Sequence, residues 1–216
     1  MITVELLHQL GDDLTVVNAA RVSFSKASYT FSEGDERLIK YLARHKHWTP
    51  FSQCVVQLRI SAPIFVARQA FKSSVGTSRN EVSRRYVSES PTYYKMQEWR
   101  SRPIDGMKQG SGEPLSGAIS AQCDRIYRKA IASAHDGYHQ LLDIGVAPEQ
   151  ARAILPQSMM TEWIETGSLA YWARFYSLRS SPDAQAEIRE LAEKISDIVA
   201  PLFPISWKAL TDHKEG

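Results

Sequence analysis

Apolar residues change their spacing partway along the chain. In the first half, Val55 to Ile60 alternates between Pro50 and Pro63, with the period of a half-buried strand. Met1 to Leu10 alternates more loosely and reads as a first strand. In the second half the spacing is three and four. Ile126, Ala130, Ala134, Tyr138 and Leu141 share one face of a helix predicted over Ile119 to Ile144. Ala184, Ile188, Leu191, Ile195, Val199 and Leu202 do the same in a helix predicted from Pro182 onward. Strands in front and helices behind predict an α+β fold. With 216 residues there is room for one full core, and no second core is visible, so residues 1–216 read as a single domain.

Other elements follow from local signals. Ser32 ahead of Asp35 and Glu36 marks a helix start, where acids suit the helix dipole. Pro63 opens a helix over Ile64 to Phe71, and Lys72 to Val87 reads as a loop followed by a short strand. Short helices are expected at Pro148 to Leu155 and Leu169 to Leu178. Asn18 to Phe24 is an apolar and polar mix with no assigned element. The Gly-, Pro- and Ser-rich run 101–117 is expected to be the most mobile loop.

Several classes are excluded by what the chain lacks. No run approaches the roughly 20 apolar residues of a membrane span, so no membrane partner is expected. Met1 to Asp13 has no basic start and long apolar stretch, so a cytoplasmic protein is expected. Cys54 and Cys123 form no metal-ligand spacing and are expected to be reduced. His45 and His47 lack nearby carboxylate or thiol ligands, and His135 and His139 read as a surface helix face. No metal site is expected. The net charge of +2 does not imply a nucleic-acid partner.

Charge is concentrated locally instead. Arg68 to Arg102 holds eight basic residues (Arg68, Lys72, Arg79, Arg84, Arg85, Lys95, Arg100, Arg102) against three acids. Ser73, Ser74, Thr77, Ser78 and Ser83 are interleaved. Guanidinium forks with hydroxyls suit a phosphate, and Gly76 permits close backbone approach. Composition alone leaves phosphate binding and a solvated basic loop level. A second set, Arg152, Arg174 and Arg179, lies among Trp163, Tyr171, Trp172, Phe175 and Tyr176. On the predicted helix Arg174 shares a face with Tyr171. Arg179 falls at its C-terminal end, where a cation serves as a cap or pairs with Asp183.

At Asn80-Glu81-Val82-Ser83-Arg84-Arg85-Tyr86 the chain resembles the flavin-dependent thymidylate synthases, the ThyX family. That family's pattern is Arg-His-Arg, a short spacer, then Asn-Glu-x-Ser-x-Arg-Tyr. Further blocks match in order: Asn18 to Phe24, His47 to Phe51, Ala62 to Gln69, Ala151 to Pro156, Ser177 to Arg179 and Asp183 to Gln185. Together they span nearly the whole chain, and the short, Lys-containing signature is similar to the phage-type branch.

The resemblance implies a central, mostly antiparallel sheet flanked by helices, and a homotetramer with sites at subunit junctions. It implies bound FAD, with NADPH and 5,10-methylenetetrahydrofolate as co-substrates. Nucleotide-binding positions carry over to Gln69, Lys72, Glu81, Ser83, Arg84, Arg85, Arg152 and Arg179. Flavin-binding positions carry over to Ser23, Thr49, Lys72, Ser73, Ser74, Asn80, Glu81, Ser168 and Arg174. Arg179 matches the family arginine that favours ionised uracil N3, which makes it the expected catalytic residue.

Departures from the pattern are local. Lys72-Ser73-Ser74 stands where the family has Arg-His-Arg, and one extra residue falls within Thr77 to Arg79. Ser52 and Gln53 replace a Glu and a His. One relative in polyoxin-type nucleoside antibiotic biosynthesis methylates UMP as well as dUMP, so either nucleotide is an expected substrate. Neither cysteine lies in a matching catalytic block, so thiolate addition to carbon 6 has no support. The rival reading is a pyrimidine- or RNA-binding module without catalysis, built on the basic run and its tyrosines.

Overall fold

The computed structural model describes residues 1–87, 89–103 and 110–212. Its frame is a four-stranded sheet in the order β1-β2-β4-β3, formed by Thr3–Leu10, Val55–Pro63, Thr77–Glu81 (β3) and Met160–Ser168 (β4). Every pairing is antiparallel. Alternation in β2 turns Val56, Leu58, Ile60 and Ala62 inward, all at most 1% exposed. The outer face is wet: Arg59 there reaches Glu5 at 3.6 Å and Glu162 at 3.8 Å.

Eight helices are described, most of them covering the inner face. They are α1 (Asp13–Arg21), α2 (Glu33–Arg44), α3 (Ile64–Ala70), α4 (Gly117–Asp143), α5 (Pro148–Ala151), α6 (Leu169–Arg179), α7 (Ala186–Leu202) and α8 (Pro204–Thr211). Leu169, Trp172 and Phe175 of α6 join Ile188, Leu191, Ile195 and Val199 of α7 in the core. The α+β expectation therefore holds. Ser32 is the N-cap of α2 and completes a capping box with Asp35.

Four expectations need correction. Strand β4 was not anticipated, because its inward residues are Thr161, Trp163, Glu165 and Gly167 while Ile164 faces outward. Its apolar pattern is inverted, so alternation pointed the wrong way. Helix α1 occupies part of the unassigned Asn18 to Phe24, and its start is fixed by an Asp12–Thr15 capping box. The last long helix begins at Ala186, not Pro182, because a turn with Ala184 N donating to Ser181 O at 2.9 Å precedes it. On α4, Tyr138 is the one buried side chain; Ile126 is 63% exposed and Ala130 is exposed too. Two residues of the predicted apolar face, Ile126 and Ala130, are thus uncovered within one chain, while Ala134 and Leu141 are half-buried and Tyr138 is buried. Residues 104–109 of the expected mobile loop lie outside the described residues.

Two glycines let α6 and the loop after α3 close on the sheet. A Cβ on Gly167 would sit 2.4 Å from Tyr171 Cδ1. Gly76 has φ +87°, and its carbonyl accepts from Ser168 N at 3.0 Å.

Candidate active site

The chain ends of α3 and α6 meet beside the edge strand β3. Arg179, the last residue of α6, donates from NH2 to the main-chain oxygen of Gln69 at 2.7 Å. Its Nε is buried with no partner, and among the described residues it forms no ion pair with Asp183 or any other acid. Burial pushes the guanidinium below its ordinary pKa, with a smaller opposing influence from Tyr171. Of the structural alternative for Arg179, the pairing with Asp183 is not seen among the described residues, while the position at the C-terminal end of α6 is. Gln69 also donates from Nε2 to Gln185 Oε1 at 2.6 Å.

The loop 72–76 is held from outside itself. Arg174 NH2 donates to Val75 O at 2.6 Å, and Arg79 donates to the Ser73 carbonyl while its guanidinium stacks on Phe71 at 5.1 Å. Lys72 and Ser74 are exposed, and Ser73 is half-buried. Ser168 caps α6 by accepting from Tyr171 N at 3.2 Å. Arg174 and Tyr171, one turn apart on α6, both lie against this loop.

Beneath the loop lies a carboxylate that sequence reasoning did not single out. Glu165, 1% exposed, accepts from Thr77 Oγ1 at 2.9 Å, Trp163 Nε1 at 2.8 Å and Tyr171 Oη at 2.5 Å. Arg79 Nε stands 2.9 Å from the same carboxylate. Burial costs the Arg79 cation some affinity for its proton. Hydrogen bonding and charge from Glu165 outweigh that and raise its pKa. Burial, then Glu165, pushes the Tyr171 hydroxyl up as well. Arg79 appeared in the sequence only as one of eight cations, and Glu165 sat in an unrecognised strand.

The remaining predicted residues are more dispersed. Glu81, at the end of β3, accepts from Thr161 Oγ1 at 2.7 Å, and Asn80 beside it is exposed. Arg85 is exposed, with Nε 3.3 Å from Ser83 Oγ, and Arg84 donates to the Glu89 carbonyl. Arg152 is exposed and donates to Glu149 O at 3.2 Å. Among the described residues no hydrogen bond joins Arg85 or Arg152 to Gln69 or Arg179. Ser23 and Thr49 are exposed on the turns after α1 and before β2.

Cys54 is fully buried, and burial, with Asp12 and Asp13 nearby, pushes its thiol up to about 12. Such a thiol does not ionise at neutral pH, so it is no nucleophile. His135 and His139 are not a free surface pair: His135 Nδ1 lies 3.2 Å from Tyr93 Oη and His139 Nε2 3.5 Å from Ser90 Oγ. Among the described residues no group of three His, Cys, Asp or Glu gathers as a metal site, and no helix is long and apolar enough to cross a membrane.

Comparison with known proteins shows the family. The pattern of the family described as thymidylate synthase complementing protein matches residues 5–205. The flavin-dependent thymidylate synthase of Thermus thermophilus is 38% identical over 210 residues, 97% of this chain and 76% of that protein. That of Thermosipho melanesiensis is 37% identical over 205 residues, 94% of this chain and 88% of that protein. The crystal structure of the UMP/dUMP methylase PolB from Streptomyces cacaoi, bound with 5-Br dUMP, superimposes with a TM-score of 0.87. It is 32% identical and covers 98% of this chain and 95% of that one. Nothing in these similarities supports a non-catalytic binding module. Sequence and fold agree over almost the full length: this chain belongs to the thymidylate synthase complementing protein family, the flavin-dependent thymidylate synthases.

Proposed function

We propose that this protein methylates carbon 5 of uridylate, with dUMP and UMP both accepted, using FAD, NADPH and 5,10-methylenetetrahydrofolate. The carrying observation is Arg179: a half-buried guanidinium held by one backbone carbonyl and, among the described residues, matched by no carboxylate. A desolvated cation of this kind suits an anionic or carbonyl partner brought by a ligand. The names of the Thermus and Thermosipho relatives support a flavin-dependent reaction. The PolB structures with 5-Br dUMP and 5-Br UMP support both sugars.

The residues present suit the flavin. Loop 72–76 offers Lys72 and the Ser73 and Ser74 hydroxyls over a backbone already held by Arg79 and Arg174. Here Lys72, Ser73, Ser74, Asn80, Glu81, Ser168 and Arg174 would hold FAD, with Ser23 and Thr49 contributing from the turns after α1 and before β2. When bound and reduced, the flavin supplies the hydride that converts a transferred methylene to a methyl. The chain's own tasks are orientation and charge stabilisation. Gln69 and Arg179 hold the base, while Glu81, Ser83, Arg84, Arg85 and Arg152 hold sugar and phosphate, joined by Lys72.

Sites of this breadth are completed between subunits of a homotetramer. The exposed Ile126 and Ala130 on α4 support that assembly. The cytoplasm is the compartment that suits a reaction supplied by NADPH. One experiment tests cofactor and assembly together: chromatography with light scattering after incubation with FAD. Flavin absorbance is expected to co-elute with a particle of four chains. A flavin-free peak contradicts the cofactor assignment, and a single-chain mass contradicts the assembly.

A further inference from the structure

A line of polar contacts runs behind Gln69 into the protein. Glu187, in the first turn of α7, is 5% exposed and accepts from Arg100 NH2 at 2.7 Å. Burial raises its carboxyl pKa, but hydrogen bonds from Arg100 and Gln185 outweigh burial and hold it below the usual range. An ionised carboxylate accepts hydrogen bonds and donates none. Gln185 therefore turns its amino group toward Glu187, with Nε2 2.8 Å from Oε2. That leaves the Gln185 carbonyl oxygen facing Gln69, which meets it with Nε2 at 2.6 Å. The same Gln69 amino group faces Phe65 O at 3.4 Å. Reversing the Gln69 amide would set oxygen against oxygen at both places. Its Oε1 receives no hydrogen bond among the described residues, and its main-chain oxygen already holds Arg179.

We infer that Arg100, Glu187 and Gln185 are positioning residues that fix Gln69 as a hydrogen-bond acceptor toward the nucleotide, and that this polarity selects uracil over cytosine. The inference rests on the reading of Gln69 and Arg179 as the base-binding pair. Uracil presents an N3–H next to a carbonyl oxygen. Cytosine presents the reverse, a bare N3 next to an amino group. A locked acceptor in company with a guanidinium donor matches the first edge and opposes the second. A freely rotating amide discriminates poorly, because it turns to suit either base; selectivity requires that the wrong orientation be costly. The contact belongs to the resting, neutral base, so it governs binding, whereas Arg179 acts as charge develops.

The test is equilibrium binding of dUMP and dCMP to the FAD-loaded protein, for wild type and two variants. Gln185→Leu removes the acceptor that orients Gln69, and Glu187→Gln lets Gln185 turn either way. Wild type is expected to prefer dUMP. In either variant the preference is expected to fall about tenfold, equivalent to about 1.4 kcal/mol, through weaker dUMP and stronger dCMP binding. Loss of packing alone would weaken both nucleotides together and leave the ratio unchanged. A folded variant that keeps the wild-type ratio overturns the inference, and so does a wild type that binds the two equally. Failure of the wild type to bind either nucleotide overturns the underlying assignment of Gln69 and Arg179 instead.

Discussion

Replacing Arg179 by Ala lowers kcat and kcat/KM together, by roughly 10²–10³ in kcat, the scale for losing one charge-stabilising donor. The guanidinium has a single hydrogen-bond partner among the described residues, the Gln69 carbonyl, and its buried Nε has none. Negative charge reaches the pyrimidine only as carbon 5 becomes nucleophilic. A cation already desolvated and fixed at that edge stabilises the transition state more than the resting nucleotide. Arg179→Lys is expected to rescue little, because an ammonium cannot hold the carbonyl and offer a second parallel hydrogen bond. Stability is expected to change less than rate, since among the described residues no ion pair is broken. Steady-state kinetics and a melting curve on the same Arg179→Ala protein separate the accounts. A lowered melting temperature with wild-type kcat would return Arg179 to a helix-end role.

The largest loss of stability is expected at Glu165. Its carboxylate gathers Thr77, Trp163 and Tyr171 as donors and lies 2.9 Å from Arg79 Nε, all beneath loop 72–76. Removing one partner of a buried pair leaves the other charge uncompensated, at a cost of about 3–5 kcal/mol. Glu165→Ala therefore lowers the melting temperature by roughly 10 °C for a domain of this size. Glu165→Gln keeps the shape and can still accept hydrogen bonds, so its loss is expected to be smaller. Because Arg79 also holds the Ser73 carbonyl, weakened flavin binding is expected to accompany both changes. Thermal unfolding of the two variants checks this, and an unchanged melting temperature for Glu165→Ala contradicts it.

The two networks differ in how far the sequence reveals them. Alternation in β2, the Ser32 helix start and Pro63 before α3 are local signals, and each stands where periodicity or capping puts it. Strand β4 is hidden because its core-facing side carries Thr161, Glu165 and Gly167, so burial there is satisfied by hydrogen bonds and close packing instead of apolar bulk. Without that strand, Glu165 and its pairing with Arg79 are invisible. The proximity of Gln69 and Arg179 is equally non-local: they are far apart in sequence, and only the packing of α3 and α6 joins them. Motif resemblance singled out both residues without giving their contact. The face of α4 shows the opposite limit. Its helical period is plain in sequence, but periodicity does not say whether the apolar side meets its own chain or another.

Methylation at carbon 5 is tested most directly by product analysis. Purified protein is incubated with FAD, NADPH, 5,10-methylenetetrahydrofolate and either dUMP or UMP, and the nucleotide is examined by mass spectrometry and proton NMR. The expected product is heavier than the substrate by one CH2 unit, with a methyl on carbon 5 and the carbon-5 proton gone. No methylated product from either nucleotide, in protein that has bound FAD, would contradict the account.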